Sequence, residues 1–218
     1  MVLSTLPIQT DTWIAATWED FVATMGDPQY REGRGYFDHD EMRVEMAALG
    51  AGHGRQNTVI ANVVNLFALV KGLRVAGFTN CSFYRAGEQG CQPDVAFYLG
   101  EGFSLPPQDN APIDVNRYGP PTLVIEVGAS SFRDDLGAKR LLYERLGVAE
   151  YWVVHVAERR VIAFSVVDRR SGEVAVSEVL PGLEMAVVIE ALGRSQTEDD
   201  GTLMRWLMER FQPGQGLG

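Results

Sequence analysis

The segment from Pro121 to His155 constrains the fold most, because two apolar runs of strand length enclose a charged segment with helical spacing. The runs are Leu123–Val127 and Tyr151–Val156. Continuous apolar runs of this length, rich in β-branched residues, are typical of strands covered on both faces. The segment therefore predicts a strand, a helix and a second strand in succession.

Glu126 stands in the middle of the first run, between Ile125 and Val127. A carboxylate buried in such a strand costs free energy unless a cation or several hydrogen-bond donors compensate it. Glu126 is therefore the first candidate functional residue. The alternative is a structural carboxylate that is paired with an arginine.

The predicted helix between the runs ends at Gly147 and begins with hydroxyl and acidic side chains, which favour a helix N-terminus. Those first residues are Ser130, Ser131, Asp134 and Asp135. Helical spacing places Leu136, Lys139, Tyr143 and Leu146 on one face. Lys139 is thus predicted to point back over the sheet. The residues predicted to lie in solvent are Arg133, Glu144 and Arg145.

The rest of the chain predicts short strands and helices separated by turns. The predicted helices are a short one capped by Thr17, a long one at Gln56–Lys71 after a flexible glycine-rich turn at residues 50–54, and a last one at Thr202–Phe211. The predicted strands are Glu41–Met46, Val75–Tyr84, Val95–Leu99, Arg160–Val167 and Glu173–Leu180, and residues 100–121 are predicted to be loop. We expect one α+β domain over residues 1–211 and a flexible tail at residues 212–218.

Composition limits the classes of function. The 218 residues are 46% hydrophobic, enough for a full core, and no apolar run approaches the roughly 20 residues that cross a membrane. Cys81 and Cys91 are too few for a secreted disulfide scaffold and lack the Cys or His neighbours of a zinc site. They could pair across a hairpin, but we expect them to be reduced and structural. A soluble, cytoplasmic protein without a membrane partner is expected.

The net charge of −10 counts against a protein that coats nucleic acid, but it leaves room for a local basic groove. The candidates for such a groove are Arg31, Arg34, Arg55, Arg117 and Arg133.

Three acids lie on or beside predicted apolar strands, namely Glu45, Asp94 and Glu126. Carboxylate oxygens suit Mg²⁺ or Mn²⁺, and such a metal can activate water and polarise a phosphoryl oxygen. Lys139 would add a positive charge for the transition state or for orienting water. The structural alternatives to these roles are a turn cap for Asp94, an edge-strand acid for Glu45 and a solvated helix residue for Lys139.

His53 is expected to cap the long helix or to pack near the site rather than to bind metal, with Gln56 and Tyr143 as supporting residues.

The chain resembles the Uma-two family of restriction endonucleases, part of the PD-(D/E)xK nuclease superfamily. Pro93-Asp94, Glu126-Val127-Gly128 and the run DLGAKRLLYERLGVAEYW from Asp135 to Trp152 carry the resemblance. It implies an α+β fold with a restriction-endonuclease-like central mixed β-sheet flanked by helices. It also implies that Asp94 and Glu126 bind the metal and that Glu45 is an additional acid.

Some positions differ from the family's pattern. The superfamily's lysine normally follows the second acid by two residues, where this chain has Gly128, so the resemblance moves that role to Lys139 on the following helix. A serine–proline pair is replaced by Ala129-Ser130, and an aspartate by His155.

These features predict an Mg²⁺-dependent endodeoxyribonuclease that hydrolyses DNA phosphodiester bonds and acts as a homodimer. The proposed catalytic residues are Asp94, Glu126 and Lys139, and the proposed metal ligands are Asp94, Glu126 and Glu45. Two alternatives remain. One is a non-catalytic DNA- or protein-binding member of the fold, and the other is a phosphoesterase that acts on a smaller substrate.

Overall fold

The computed structural model describes residues 7–46, 50–128, 131–155, 157–158 and 160–212. Its strands are β1 Ile14–Ala15, β2 Arg34–Asp38, β3 Glu41–Glu45, β4 Val75–Thr79, β5 Phe83–Arg85, β6 Gln89–Cys91, β7 Val95–Leu99, β8 Ile113–Asp114, β9 Leu123–Gly128, β10 Glu150–His155, β11 Arg160–Val167 and β12 Arg170–Val174. Its helices are α1 Trp18–Met25, α2 Ala51–Lys71, α3 Val115–Tyr118, α4 Phe132–Leu136, α5 Ala138–Leu146, α6 Met185–Arg194 and α7 Asp200–Phe211.

The larger sheet has the strand order β12-β11-β10-β9-β7-β4 and is mixed. Strands β9 and β10 are parallel, with Glu126 opposite Val153, and the other neighbouring pairs are antiparallel. Parallel neighbours need a crossover connection, and α4 and α5 supply it. The predicted strand–helix–strand unit and the mixed sheet flanked by helices are therefore confirmed.

The two faces of this sheet carry different cores, because successive strand residues point to opposite sides. On one face Ile125 packs in a cluster with residues of α2, α6 and α7, including Phe67, Val188 and Leu207. On the other face Val124 packs in a cluster with Tyr143 of α5. Glu126 lies two residues after Val124 in β9, so its carboxylate points to the same face, the one that α5 covers.

The second sheet, of order β1-β3-β2-β6-β5-β8, covers the α5 face. Its central hairpin pairs Arg34 of β2 with Glu45 of β3. The predicted strand Val75–Tyr84 is wrong as one element, because the chain turns at Asn80 (φ 51°), so that β4 belongs to the larger sheet and β5 to the smaller. This division lets one segment join both sheets.

Two helix predictions need correction. Helix α2 begins at Ala51, so the glycine-rich residues predicted to be a flexible turn form its first turn. Contacts of His53 with Asp94 and of Arg55 with Asp200 hold that turn, and they outweigh the weak helix propensity of glycine. The predicted single helix after β9 is divided at Gly137 (φ −108°, ψ −103°) into α4 and α5.

Other boundaries differ locally. The capping box of Thr17 and Asp20 is confirmed, whereas Ser131 makes no capping hydrogen bond and Ser130 lies outside the described residues. The last hairpin turns at Asp168 and Arg169, both with positive φ, so β12 starts and ends earlier than predicted. The predicted loop at residues 100–121 contains β8 and α3, and α6 was not predicted.

Cys81 and Cys91 are not joined in a disulfide. Within the described ranges, no helix is long and apolar enough to cross a membrane. Apart from Gln212, the predicted tail lies outside those ranges, as does Ala129.

Candidate active site

Asp94 and Glu126 lie side by side because β7 and β9 are neighbouring antiparallel strands. Asp94 immediately precedes β7, and Val95 pairs with Ile125 of β9. The Asp94 Oδ2 atom accepts a hydrogen bond of 2.8 Å from the backbone N–H of Val127. Both carboxylates are about 1% exposed. The sheet thus brings together two of the three acids predicted from the sequence.

Asp94 is held by cationic and polar groups on both oxygens. Its Oδ1 atom lies 2.5 Å from a guanidinium nitrogen of Arg34 and 2.8 Å from Nε2 of His53. Burial alone would raise the pKa of Asp94, but the hydrogen bond with His53 and the charge of Arg34 outweigh it and hold the pKa below its ordinary value. Asp94 is therefore ionised in the neutral pH range.

Glu126 has less compensation for its charge. The Tyr143 hydroxyl donates a hydrogen bond of 2.6 Å to Oε1, and the Tyr36 hydroxyl lies 3.4 Å from Oε2. Burial raises the pKa of Glu126 to about 8, because the attraction of Lys139 offsets only part of the desolvation and Asp94 adds repulsion. Glu126 is thus a carboxylate whose ionised form needs a further positive charge.

Lys139 is completely buried in α5 and lies among carboxylates. Its Nζ atom lies 2.9 Å from Glu45 Oε1, 2.9 Å from Asp135 Oδ1 and 3.8 Å from Glu126 Oε1. Burial opposes the charged amine, but the carboxylates of Glu126, Asp135 and Glu45 outweigh it and hold the pKa of Lys139 above its ordinary value. Lys139 is consequently a permanent cation.

Glu45 reaches the cluster from β3 of the second sheet. It pairs with Arg34 at 3.0 Å and with Arg43 at 2.9 Å, in addition to Lys139. Burial raises the pKa of Glu45, but Lys139 and Arg34 outweigh it and bring the pKa below its ordinary value. Glu45 is therefore joined to the acid pair through cations.

A divalent cation fits the pair formed by Asp94 and Glu126 better than it fits a site built from three acids. Over the described ranges, no three His, Cys, Asp or Glu side chains are grouped as a metal site requires. Mg²⁺, however, often uses one or two carboxylates and completes its shell with waters and substrate phosphates. Once Glu126 is ionised, four buried carboxylates (Glu45, Asp94, Glu126, Asp135) face three cations (Arg34, Arg43, Lys139), which leaves one negative charge for a metal to balance. Asp94 and Glu126 therefore fit such a metal.

The structure adds residues that the sequence analysis missed. Asp135, predicted as a helix-start acid, is 0% exposed and pairs with Lys139. Its i,i+4 spacing from Lys139 was a signal that could have found it. Arg34, a candidate for the basic groove, pairs with Asp94 in the acid cluster. No sequence pattern pointed to Tyr36, because its contact with Glu126 depends on how β2 packs against β9.

Other predicted surface residues also have partners. Glu144 is buried and accepts a hydrogen bond from the Ser171 hydroxyl. Arg145 pairs with Asp38, and Arg55, a candidate for the basic groove, pairs with Asp200. The exposed candidates for that groove are Arg31, Arg117 and Arg133.

The mixed sheet, its crossover helices and the acid–lysine cluster define a restriction-endonuclease-like α+β protein. The chain belongs to the Uma2 family, whose model, described as "Putative restriction endonuclease", matches residues 18–199. The predicted family is thus confirmed.

A solved structure described as "a putative nuclease belonging to DUF820 from Anabaena variabilis ATCC 29413" shares the fold, with a TM-score of 0.52 and 15% identity. The match covers 88% of this chain and 98% of that one. At this identity the likeness supports the fold alone. No curated protein matches the chain.

Proposed function

We propose that this nuclease-family chain is an endodeoxyribonuclease that hydrolyses DNA phosphodiester bonds with Mg²⁺ or Mn²⁺. The observation that carries the proposal is the buried pair of Asp94 and Glu126 on neighbouring strands, with the Lys139 ammonium 3.8 Å from Glu126. Two carboxylates beside a fixed cation are suited to a phosphoryl centre, where negative charge develops. The second sheet and α5 hold these groups in place.

Asp94 and Glu126 would hold the divalent cation, which supplies Lewis-acid chemistry at the phosphoryl oxygen and lowers the pKa of water. Ionised Asp94 would be the first ligand, and Glu126 would join it on losing its proton. Glu45, the third ligand expected from the sequence, would not bind the metal directly, since no three acids of the described residues are grouped as a metal site requires. Its ion pairs with Lys139 and Arg43 make it the anion that positions Lys139.

Lys139 would stabilise the developing negative charge on the phosphate or orient the attacking water. Its raised pKa excludes a role as general base, because the amine keeps its proton throughout the neutral range. Asp135 and Glu45 fix the ammonium from two sides. This arrangement pre-organises a positive charge in a water-poor site, where electrostatic stabilisation is strong.

Exposed Arg31, Arg117 and Arg133 would contact DNA phosphates despite the net charge of −10.

Residues 1–211 would act as one domain, and two copies would form a homodimer that acts on the two strands of a duplex. A cytoplasmic location belongs to the same proposal, since unpaired Cys81 and Cys91 are usual in reducing compartments.

A second candidate is a binding protein that keeps the fold without turnover. The observation in its favour is that Asp94, Glu126 and Lys139 are each 1% exposed or less, so a phosphodiester does not reach them without movement. A third candidate, a phosphoesterase on a smaller substrate, has the same ligands and would need no basic groove.

Cleavage of supercoiled plasmid by the purified protein tests the proposal. Wild type would be compared with Asp94→Asn and Lys139→Met in Mg²⁺, in Mn²⁺ and in EDTA. Glu144→Gln is the matched control, because Glu144 is a buried acid on the same helix as Lys139 but contacts Ser171 instead. We expect metal-dependent cleavage by wild type and the control, and loss of at least about a hundredfold in the other two.

Cleavage that survives in both Asp94→Asn and Lys139→Met would overturn the site assignment. Absence of cleavage on plasmid, linear duplex and single strands, together with measurable DNA binding, would favour the non-catalytic protein. Hydrolysis of a small phosphodiester without cleavage of DNA would favour the phosphoesterase.

A further inference from the structure

Arg34 lies between the acid pair and solvent. Its side chain is 13% exposed, whereas the side chains of Asp94 and Glu126 are each 1% exposed. His53, with a side chain 12% exposed, is the other group at this boundary that contacts Asp94. A phosphate that approaches the acids from this side therefore meets Arg34 first.

The Arg34 guanidinium bridges three carboxylates. One terminal nitrogen is 2.5 Å from Asp94 Oδ1 and 3.9 Å from Glu126 Oε2, and the other is 3.0 Å from Glu45 Oε2. Two of these acids, Asp94 and Glu126, form the proposed metal pair, and the third, Glu45, holds Lys139. A guanidinium has a fixed charge and a planar fork of donors, so it neutralises several carboxylates at once.

We propose that Arg34 is a tethered cation that competes with the divalent metal for Asp94 and Glu126 and leaves the cluster when the metal binds. The inference rests on the proposed function and deepens it. One guanidinium nitrogen of Arg34 contacts both Asp94 Oδ1 and Glu126 Oε2, so a metal shared by these two oxygens would take the place of that nitrogen. Two positive groups at one oxygen repel each other strongly in a buried site.

The local structure permits the exchange. Arg34 is the first residue of β2, and its long side chain reaches the boundary with solvent. It can therefore swing outward by changing rotamers while Gly33 and Gly35 stay packed against Met46 and Met25. His53 remains on Asp94 Oδ1 as a neighbour that keeps the carboxylate oriented.

The released guanidinium would then bind the phosphate. Arginine recognises phosphate through paired N–H groups, and Arg34 would sit at the rim that the substrate must cross. The release of Arg34 from Asp94 and Glu126 would thus couple metal binding to binding of the phosphate. Arg34 thereby acts on substrate rather than only on the fold.

The test compares Arg34→Gln with Arg43→Gln by calorimetric titration of Mn²⁺ without DNA. Arg43 is the matched control, because it pairs with Glu45 at 2.9 Å but its other contacts are Asp134 and the Asp11 carbonyl. We expect Arg34→Gln to bind Mn²⁺ about tenfold tighter than wild type, since a charge-assisted contact no longer has to break. The control should change affinity by less than about threefold.

Unchanged or weaker Mn²⁺ binding in Arg34→Gln would overturn the inference. Equal tightening in both variants would also overturn it, because the effect would then be general electrostatics. If Arg34→Gln fails to fold, Arg34→Lys replaces it. A single ammonium cannot bridge Asp94 and Glu45 as the fork does, so tighter binding of a few-fold is still expected.

Two readouts separate competition from a structural role. The side-chain N–H signals of Arg34 in wild type should move to values of a solvent-exposed guanidinium on titration with Mg²⁺, and signals that stay in place contradict release. At saturating metal, Arg34→Gln should bind DNA about tenfold or more weakly, since a phosphate contact is lost. Unchanged DNA affinity would contradict the phosphate contact.

Failure of the inference differs from failure of the proposed function. If wild type cleaves DNA and binds Mn²⁺ but Arg34→Gln shows no gain in affinity, only the role of Arg34 is wrong. If neither protein binds Mn²⁺ and wild type does not cleave, the nuclease proposal fails together with it.

Discussion

Asp94 Oδ2 accepts a hydrogen bond from the backbone N–H of Val127, the residue that follows Glu126. This contact fixes the separation of the two acids through the sheet itself, since Val127 belongs to β9 and Asp94 leads into β7. The acid pair is therefore as rigid as the strand pairing. Arg34, by contrast, reaches Asp94 through its side chain alone, from the first residue of β2.

Metal affinity should increase with pH in the range where Glu126 loses its proton. The pKa of Glu126 is raised to about 8, so below that value the protein must release a proton to bind metal. We expect Mn²⁺ affinity to tighten by up to about tenfold per pH unit between pH 6 and 8 and to level off above. Calorimetry in buffers of different ionisation enthalpy checks both the affinity and the released proton.

The same shift predicts that stability without metal falls as the pH rises from about 4.5 to about 8. A carboxyl whose folded-state pKa is raised contributes stability that is fully present below its ordinary value of 4.5 and is lost as the pH rises through about 8. Glu126→Gln removes this dependence. The free energy of unfolding of the variant in urea, minus that of wild type, should therefore increase from pH 5 to pH 9. A constant difference across that range would contradict the raised pKa.

Replacement of Lys139 should damage both folding and activity, but the two effects can be separated. Lys139→Met leaves Glu45, Asp135 and Glu126 buried with less positive charge, and we expect a loss of about 3–5 kcal/mol in unfolding free energy. The double variant Lys139→Met with Asp135→Asn should recover part of that stability, because one buried charge is removed.

Plasmid cleavage by that double variant should stay absent, since the ammonium near the proposed metal is missing. Recovered cleavage would assign Lys139 a structural role alone.

The Tyr143 hydroxyl should stabilise ionised Glu126 specifically. Tyr143→Phe removes a hydrogen bond of 2.6 Å to a carboxylate, and we expect a cost of about 1.5–3 kcal/mol at pH 9. Tyr98→Phe is the control, because Tyr98 donates to the neutral carbonyl of Gly119 and should cost only about 1 kcal/mol. Urea unfolding at pH 9 measures both, and equal costs would argue against a charge-assisted bond.

Local patterns predicted the elements that depend on near neighbours in the chain. The strand around Glu126, the inward face of Lys139 and the capping box of Thr17 follow from spacing within a few residues. Arg34 could not be placed, because its contact with Asp94 spans 60 positions and depends on how the second sheet packs. The break at Gly137 was missed for a similar reason, since nothing in the local spacing distinguishes two helices from one.

A lysine at position 128 should not replace Lys139. A Cβ atom on Gly128 would lie 3.1 Å from Asp135 Oδ2 and still closer to Ser131 Oγ, which donates a hydrogen bond to Asp135. We expect Gly128→Ala alone to cost about 1–3 kcal/mol. Gly128→Lys with Lys139→Met should therefore remain inactive in plasmid cleavage, and restored cleavage would show that the strand position tolerates the side chain.

The close packing at Gly128 also affects how relatives of this chain can be recognised. A search for an acid followed at two residues by a lysine passes over it, although the positive charge stands beside the same carboxylate. In this chain the positive charge beside Glu126 comes from the crossover helix α5, so it lies 13 positions further along the chain (139 against 126) rather than two. A comparison of the geometry around β9 and α5 detects that cation, whereas the two-residue spacing does not.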